Sequence, residues 1–372
     1  MRTEKTAKEG IGLSELNKRA AKTAADVLWS IPDLCMEIRS QRVEAKLSVQ
    51  VALIVPTLRR PDFLYLCLRS LESQRTSHSV EVLVGIRADD DVSRPVVRKF
   101  SNTLRIRQVE AKGVGVVGSM NSCLARAQAE FIGFVDADVE LPPDWVEIMI
   151  RHLENHPDVL GAGARDLLQD HPEMRRREPR ILDVGRLHWF GRISGNQYRG
   201  GGKPRKVDVL RGSNCLYRGA FLRGVGLDET LRGKGAQVHW EVALALQARR
   251  QGKRLFYDPE IEVLHHVAPR LDSDQIHRGR FSYDATVDIA FNETIVILKY
   301  ASGLFWLTAL LWQLAVGSPQ CPGVAILIRS ALRGTPESLL KIRATLKGRC
   351  LAWIALWKSL LKRGSRLLEM GT

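Results

Sequence analysis

Paired cysteines, a leading apolar run and basic residues interleaved with aromatics are missing from this sequence, and each absence removes a class of protein. Its six cysteines (Cys35, Cys67, Cys123, Cys215, Cys321 and Cys350) contain no CxxC pair, which excludes a zinc ribbon and a dense disulfide framework and points to a reducing compartment. The first ten residues alternate charges with no apolar run behind them, so no secretory signal is visible and the expected location is cytoplasmic. The most apolar stretch, residues 300–316, is shorter than the ~20 residues of a clean membrane span, and lengthening it back to Ile295 brings in Lys299. Aromatics, 6% of the chain, do not alternate with basic residues as base stacking needs. With no helix-turn-helix or zinc pattern either, nucleic acid is not an expected partner.

What is present supports an enzyme. The 372 residues, 45% apolar and 26% charged, can bury the core of one catalytic domain with additions. The net charge of +15 calls for an anionic partner. From Arg329 onward ten Lys or Arg face two Glu, so much of the excess sits in the tail.

Periodicity divides the chain. Residues 1–47 read as a helical extension. Residues 48–280 read as the catalytic domain, with halves at 48–140 and 141–280, and residues 281–372 as apolar and basic amphipathic helices. Within the domain, an apolar run at 49–55 ends at Pro56, a helix carries Phe63, Leu64, Cys67, Leu68 and Leu71, and a second strand at 80–86 runs into Asp89, Asp90 and Asp91. The pattern repeats with a strand at 104–109, a glycine-rich turn, a helix at 119–130 and a strand at 131–135 that ends at Asp136. The first half is therefore α/β with a parallel sheet. Pro142 and Pro143 open a further helix, and residues 165–207, rich in Arg, Gly and Pro, read as loops around a site.

The chemistry centres on Asp136-Ala137-Asp138. On an extended segment residues i and i+2 point the same way, roughly 6.6 Å apart, so both carboxylates can face one crevice at a strand's C-terminal end and hold a hard divalent cation. Glu241, before the helical stretch 242–250, and His265, after a strand, can meet that pair as a base and a third ligand. Alone, such a Glu is usually a capping charge and such a His is usually structural. Gly113 to Gly118 spell GVGVVG, a literal GxGxxG with Asp136 eighteen residues beyond it, so a nicotinamide-dependent oxidoreductase is an alternative. The competing reading of those glycines is close packing of helix on sheet.

Four segments, VALIVPTLRRP, VGSMNSCLARAQAEFIGFVDADVELPPDW, RGSNCLYRGAFLRGVG and HWEVALALQARRQGKRLFYDPEIEVLHH, resemble in order and spacing the inverting glycosyltransferase family numbered two. The resemblance covers about residues 51–270 and implies a GT-A fold, a Rossmann-like and mostly parallel sheet with flanking helices. It also implies a nucleotide-diphosphate sugar donor, a Mn²⁺ or Mg²⁺ ion and a glycan or lipid-linked acceptor. By that likeness Pro56 and Thr57 lie against base and ribose, and Asp90 or the neighbouring Asp89 binds the base. Arg60, Asn121, Asp136, Asn214 and Trp240 are further candidate nucleotide-sugar contacts, and Asp138, His265 and Asp136 hold the metal. Where the family usually shows Glu-Asp, this chain has Trp240-Glu241. Glu241 falls on the catalytic base and reaches one methylene further, which bears on acceptor geometry.

The tail adds an expectation of membrane interaction. Trp353, Ile354, Trp357, Leu360 and Leu361 share one helical face beside a stripe of Lys358, Lys362 and Arg366, which suits an anionic membrane surface at the inner face of the cell membrane. A basic relative without activity that docks through this tail is a second alternative.

Overall fold

A computed structural model describes residues 49–169, 179–269, 271, 281–332 and 338–369. The helical extension read over residues 1–47 lies outside them. Strand β1 (Val51–Thr57) is almost wholly buried, and helix α1 (Pro61–Glu72) starts with proline in its first turn and turns Leu64, Cys67, Leu68 and Leu71 onto the sheet. Then follow β2 (Val80–Ile86), α2 (Ser93–Lys99), β3 (Ile106–Glu110), α3 (Gly115–Leu124), β4 (Phe131–Val135), β5 (Val139–Glu140), α4 (Trp145–Asn155) and β6 (Val159–Leu168). The second half holds a hairpin of β7 (Arg186–Leu187) and β8 (Ile193–Ser194), then β9 (Arg205–Val207), β10 (Asn214–Arg218), α5 (Gly219–Val225), α6 (Trp240–Arg250) and β11 (Arg254–His265). Four helices follow: α7 (Tyr283–Tyr300), α8 (Gly303–Ala315), α9 (Val324–Leu332) and α10 (Ser338–Glu369).

The main sheet runs β3-β2-β1-β4-β10-β6-β11-β5, with β9 on β11. β1, β2, β3 and β4 pair in parallel, β10 is antiparallel to both β4 and β6, and β11 is parallel to β6. Two reversals around β10 restore the direction, so the C-terminal ends of β1, β2, β4, β6 and β11 share one edge, where α/β sheets place their ligands. This is the mostly parallel α/β arrangement expected from the sequence. One apolar cluster lies against each face of the sheet, anchored by Trp145 on one side and by Phe134, Tyr217 and Trp240 on the other.

Three local readings shift. The loop stretch 165–207 contains the end of β6, the β7–β8 hairpin and β9, short pieces that carry little periodicity of their own. The apolar stretch 300–316 splits at Gly303 between α7 and α8, and no described helix is long and apolar enough to cross a membrane. Helix α3 begins at Gly115, inside the glycine motif, and ends at Leu124.

The glycines explain that early start. Gly113 and Gly115 take positive φ of 89° and 69°, which tightens the turn. A Cβ on Gly118 would come 2.8 Å from the Lys112 carbonyl oxygen and 2.9 Å from the Gly113 carbonyl carbon. Both obstacles are backbone. Gly118→Ala is therefore expected to lose about 1–3 kcal/mol in urea unfolding through overpacking, although alanine is the better helix former by ~1 kcal/mol. A neutral or stabilising result would mean that the turn relaxes freely.

Candidate active site

The shared edge opens into a cleft of about 140 Å³ lined by Pro56, Thr57, Arg60, Arg87, Ser119, the Asp136–Asp138 segment, Gly115, Lys234 and Gly235. Each strand end delivers one group. β1 brings Thr57, β4 brings Asp136 and Asp138, β6 brings Asp166 and β11 brings His265. Cross-links hold these ends together: Asp136 N–H donates to the Ser213 carbonyl at 2.9 Å, and His266 N–H donates to the Asp138 carbonyl at 2.8 Å.

Asp136, Asp138 and His265 each place a ligand atom within 4.8 Å of the others, a group that can hold a metal ion. The donor set fits a divalent cation: two hard carboxylates, one imidazole and an excess of negative charge. Asp138 is partly answered by Arg60, Nη1 to Oδ2 at 3.6 Å, and by the Ala268 N–H at 3.2 Å. His265 lies between two acids, Nε2 3.6 Å from Asp138 and Nδ1 3.8 Å from Asp166, and its buried Nδ1 has no hydrogen-bond partner. That geometry leaves Nε2 for a metal and turns Nδ1 toward a carboxylate behind it, the usual support of a ligating histidine.

Charge around the cleft is distributed unevenly. Burial and then the Asp138 charge push the Asp136 carboxyl above the ordinary carboxylate range. Burial also works against an ionised Asp166, yet the Arg211 guanidinium (Nε to Oδ2, 2.8 Å), His265 and Ser213 together hold it low. Burial opposes a charged His265, but Asp166, Asp138 and Asp136 outweigh it and raise that histidine. Glu241 sits in the first turn of α6, where the backbone of Gly212 and of Glu241 itself favours the charged carboxylate. Burial still dominates there, and with the Asp136 charge it pushes Glu241 up to about 7. A carboxylate poised near neutrality suits general-base work.

Several expected contacts hold other positions. Asp90 is fully buried and accepts from Arg59 N–H (2.7 Å) and from the Ser93 amide (3.1 Å) and hydroxyl (2.8 Å), so it shapes the loop after β2. Asp89 is half-exposed and ion-paired with Arg59 and Arg87 at 3.0 Å each. Asn121 points away from the cleft and ties Leu227 and Glu229 in place. Asn214 is buried between the Ala164 N–H and Asp166 (2.6 Å), bracing the site from behind. The Trp240 ring meets Phe134 edge to face at 5.4 Å in the core. These polar and aromatic side chains, expected as ligand contacts, have partners inside the protein. Sequence reasoning in turn passed over Asp166, Arg211, Arg87 and Lys234, which no short motif marks. Thr57 Oγ1, Ser119 Oγ and Arg60 Nε, all buried at the cleft, have no hydrogen-bond partner.

The glycine motif does not form a dinucleotide site. Such a site needs free N–H groups at the helix start for a pyrophosphate. Here Val116 N–H donates to the Gly235 carbonyl and Val117 N–H to Gln237 Oε1, both at 2.9 Å. The loop that supplies these caps carries positive φ at Gln237 (41°) and His239 (77°).

The profile of glycosyl transferase family 2 matches residues 52–225, which hold β1 to β10 and the acidic pair. Over this stretch, just under half of its length, the chain is similar to glycosyl transferase family 2. Among its relatives, hyaluronan synthase of Pasteurella multocida is 33% identical over 119 residues, 32% of this chain and 12% of that protein. Validoxylamine A glucosyltransferase of Streptomyces hygroscopicus is 28% identical over 153 residues, 38% of this chain and 36% of the relative. The matched stretch thus spans only a minor part of either relative's length. The fold is also that of the S. aureus TarS 1–349 crystal structure in complex with UDP-GlcNAc, with TM-score 0.51 and 14% identity over 83% of this chain and 92% of that one.

The position of Glu241 gives a pH-dependent prediction. Its folded pKa, about 7, lies above the ordinary 4.5, so the ionised form opposes folding above pH 7, and this cost vanishes below about pH 4.5. Glu241→Gln is expected to raise the midpoint of urea unfolding at pH 8 and to give little gain at pH 5. An equal shift at both values would show that Glu241 titrates as an ordinary surface acid.

Proposed function

We propose that this protein transfers a sugar, with inversion, from a nucleotide diphosphate to an acceptor hydroxyl in the synthesis of a cell-envelope polysaccharide or glycolipid. The observation that carries this reading is the convergence of Asp136, Asp138 and His265, with Asp136 and Asp138 lining the cleft and the Asp136 charge acting on Glu241.

In this mechanism Pro56 and Thr57 lie along the nucleoside, with Asp89 toward the base, while Arg60, Arg87 and Lys234 face the diphosphate. Asp136, Asp138 and His265 would hold a Mn²⁺ or Mg²⁺ ion, which would supply positive charge against the departing diphosphate. Asp166 keeps His265 and Arg211 in place. Glu241 takes the proton of the acceptor hydroxyl, whose oxygen forms a bond to the anomeric carbon as the bond to the diphosphate oxygen breaks and its electron pair leaves with the diphosphate. One such displacement inverts the anomeric centre. Relatives that make hyaluronan and glucosylate validoxylamine A support the reaction class. The TarS complex with UDP-GlcNAc makes UDP-sugars the first donors to try.

The expected acceptor is a glycan or a lipid-linked glycan. An anionic membrane surface at the cytoplasmic face is a further partner, on the strength of α10, where Trp353, Ile354 and Trp357 are exposed beside Lys347 and Lys358.

Glu241→Gln tests the mechanism. It is expected to lower kcat by about 10²–10⁴-fold, the usual worth of a positioned base, while the dissociation constant of the donor stays within about threefold. In the parent enzyme kcat/KM should rise with pH through about 7, as Glu241 loses its proton. Unchanged turnover in Glu241→Gln would remove Glu241 as the base. Failure of every nucleotide diphosphate to bind the parent protein would remove the transferase reading itself.

A further inference from the structure

The apolar stretch that is too short to span a bilayer has an unusual place in the fold. Helix α8 carries no charged residue, and Leu304, Leu307, Leu311 and Leu314 recur at helical spacing along one exposed side. Trp189, at the tip of the β7–β8 hairpin, lies beside them: its carbonyl accepts from Thr308 Oγ1 at 2.7 Å, the Gly191 backbone packs on Thr308 and Ala309, and Phe190 meets Trp312 at 5.2 Å. On the neighbouring α9, Val324 and Ile328 are exposed as well. The four leucines, Trp189, Val324 and Ile328 are between 48 and 73% exposed, whereas large exposed apolar side chains on a folded protein normally occur singly.

The charge around the patch is mainly basic; the half-exposed Asp183, which accepts from Ser194 Oγ and lies 3.2 Å from His188, is the acidic residue held against the hairpin among the described ion pairs. No Asp or Glu occurs between Glu293 and Glu337, and the 184–194 hairpin segment has none either. Arginines border the patch. Arg249 lies 4.9 Å over the Phe305 ring, Arg250 donates to the Ala301 carbonyl at 3.2 Å, and Arg192 and Arg329 are exposed.

We infer that α8, α9 and the β7–β8 hairpin form a docking face for an anionic lipid bilayer, with α8 lying in the plane of the interface. Thirteen residues extend only about 20 Å at 1.5 Å each, against a hydrocarbon core of roughly 30 Å, so α8 can lie in a leaflet but cannot cross it. The leucines and Trp189 enter the acyl boundary while the arginines meet anionic headgroups. This face is separate from the amphipathic side of α10, and it joins the candidate active site through the chain: Gly185 and Leu187 bond to Asp208, three residues before Arg211. Docking there brings the half of the domain at 141–280 to the membrane, which suits a lipid-carried acceptor. That last consequence rests on the proposed transferase reading, and the docking itself does not.

The test uses the full chain with two sets of vesicles, phosphatidylcholine alone and phosphatidylcholine with phosphatidylglycerol, in a flotation assay. The parent protein and Asp138→Ala are both expected to float with the anionic vesicles. Leu307→Glu/Leu311→Glu should partition at least tenfold more weakly and still bind UDP with Mn²⁺ as the parent does. If circular dichroism shows that the double variant is unfolded, Leu311→Ser replaces it, with a weaker loss in the same direction. Partitioning unchanged in the face variants, or no flotation of the parent, overturns the inference. So does a parent dimer without vesicles that the double variant converts to monomer, because the face is then a contact between two copies. Failure of the parent to bind any nucleotide diphosphate, with flotation intact, would sink the transferase reading and leave the docking face standing.

Discussion

Negative charge gathered out of water at one edge of the sheet is the constraint on which the rest of this structure turns. Asp136, Asp138, Asp166 and Glu241 meet where five strand ends coincide. Two unit charges about 4 Å apart interact by roughly 4 kcal/mol at the effective dielectric of a protein surface region, so such a group persists only if it is neutralised. Arg211 answers Asp166 at 2.8 Å and Arg60 partly answers Asp138 at 3.6 Å. For Asp136 the balance remains unfavourable and its carboxyl is pushed toward the protonated form. A divalent cation is the simplest remedy, and a diphosphate then has a reason to come.

The antiparallel β10 is what lets the halves cooperate. By reversing twice, the sheet returns β6 and β11 to the direction of β4, so residues far apart in sequence face one cleft. Ser213 and Asn214, at the start of β10, brace Asp166 from behind while the Ser213 carbonyl receives the Asp136 N–H. The loop before α6 lines the cleft as well. It caps α3 through Gly235 and Gln237, places Lys234 on the cleft, and leads through the left-handed His239 directly into Glu241. Backbone strain at Gln237 and His239 thus sits directly before Glu241.

Much of this was legible in the sequence because short-range patterns carry it. The buried run of β4 followed by Asp136 and Asp138 announces a strand end with two carboxylates on one side, and the family resemblance picks out Glu241. Long-range partnerships leave no such trace. Nothing local tells that Asp166 reaches Arg211 and His265, or that Asn121, Asn214 and Trp240 find partners in the protein. GVGVVG misleads for the same reason, since the groups that occupy its helix N–H donors come from residues 235 and 237. The stretch near residue 300 reads as apolar at sequence level, but only the fold reveals which of its sides is left uncovered.

Isothermal titration of the protein with UDP and GDP, with Mn²⁺ and then with a chelator, and repeated on Asp138→Ala, bears most directly on this account. Binding of one nucleotide diphosphate that requires the metal and weakens at least tenfold in Asp138→Ala is the predicted result. Binding that is equally tight with the chelator, or indifferent to Asp138, would mean that the acidic edge is not a metal and diphosphate site.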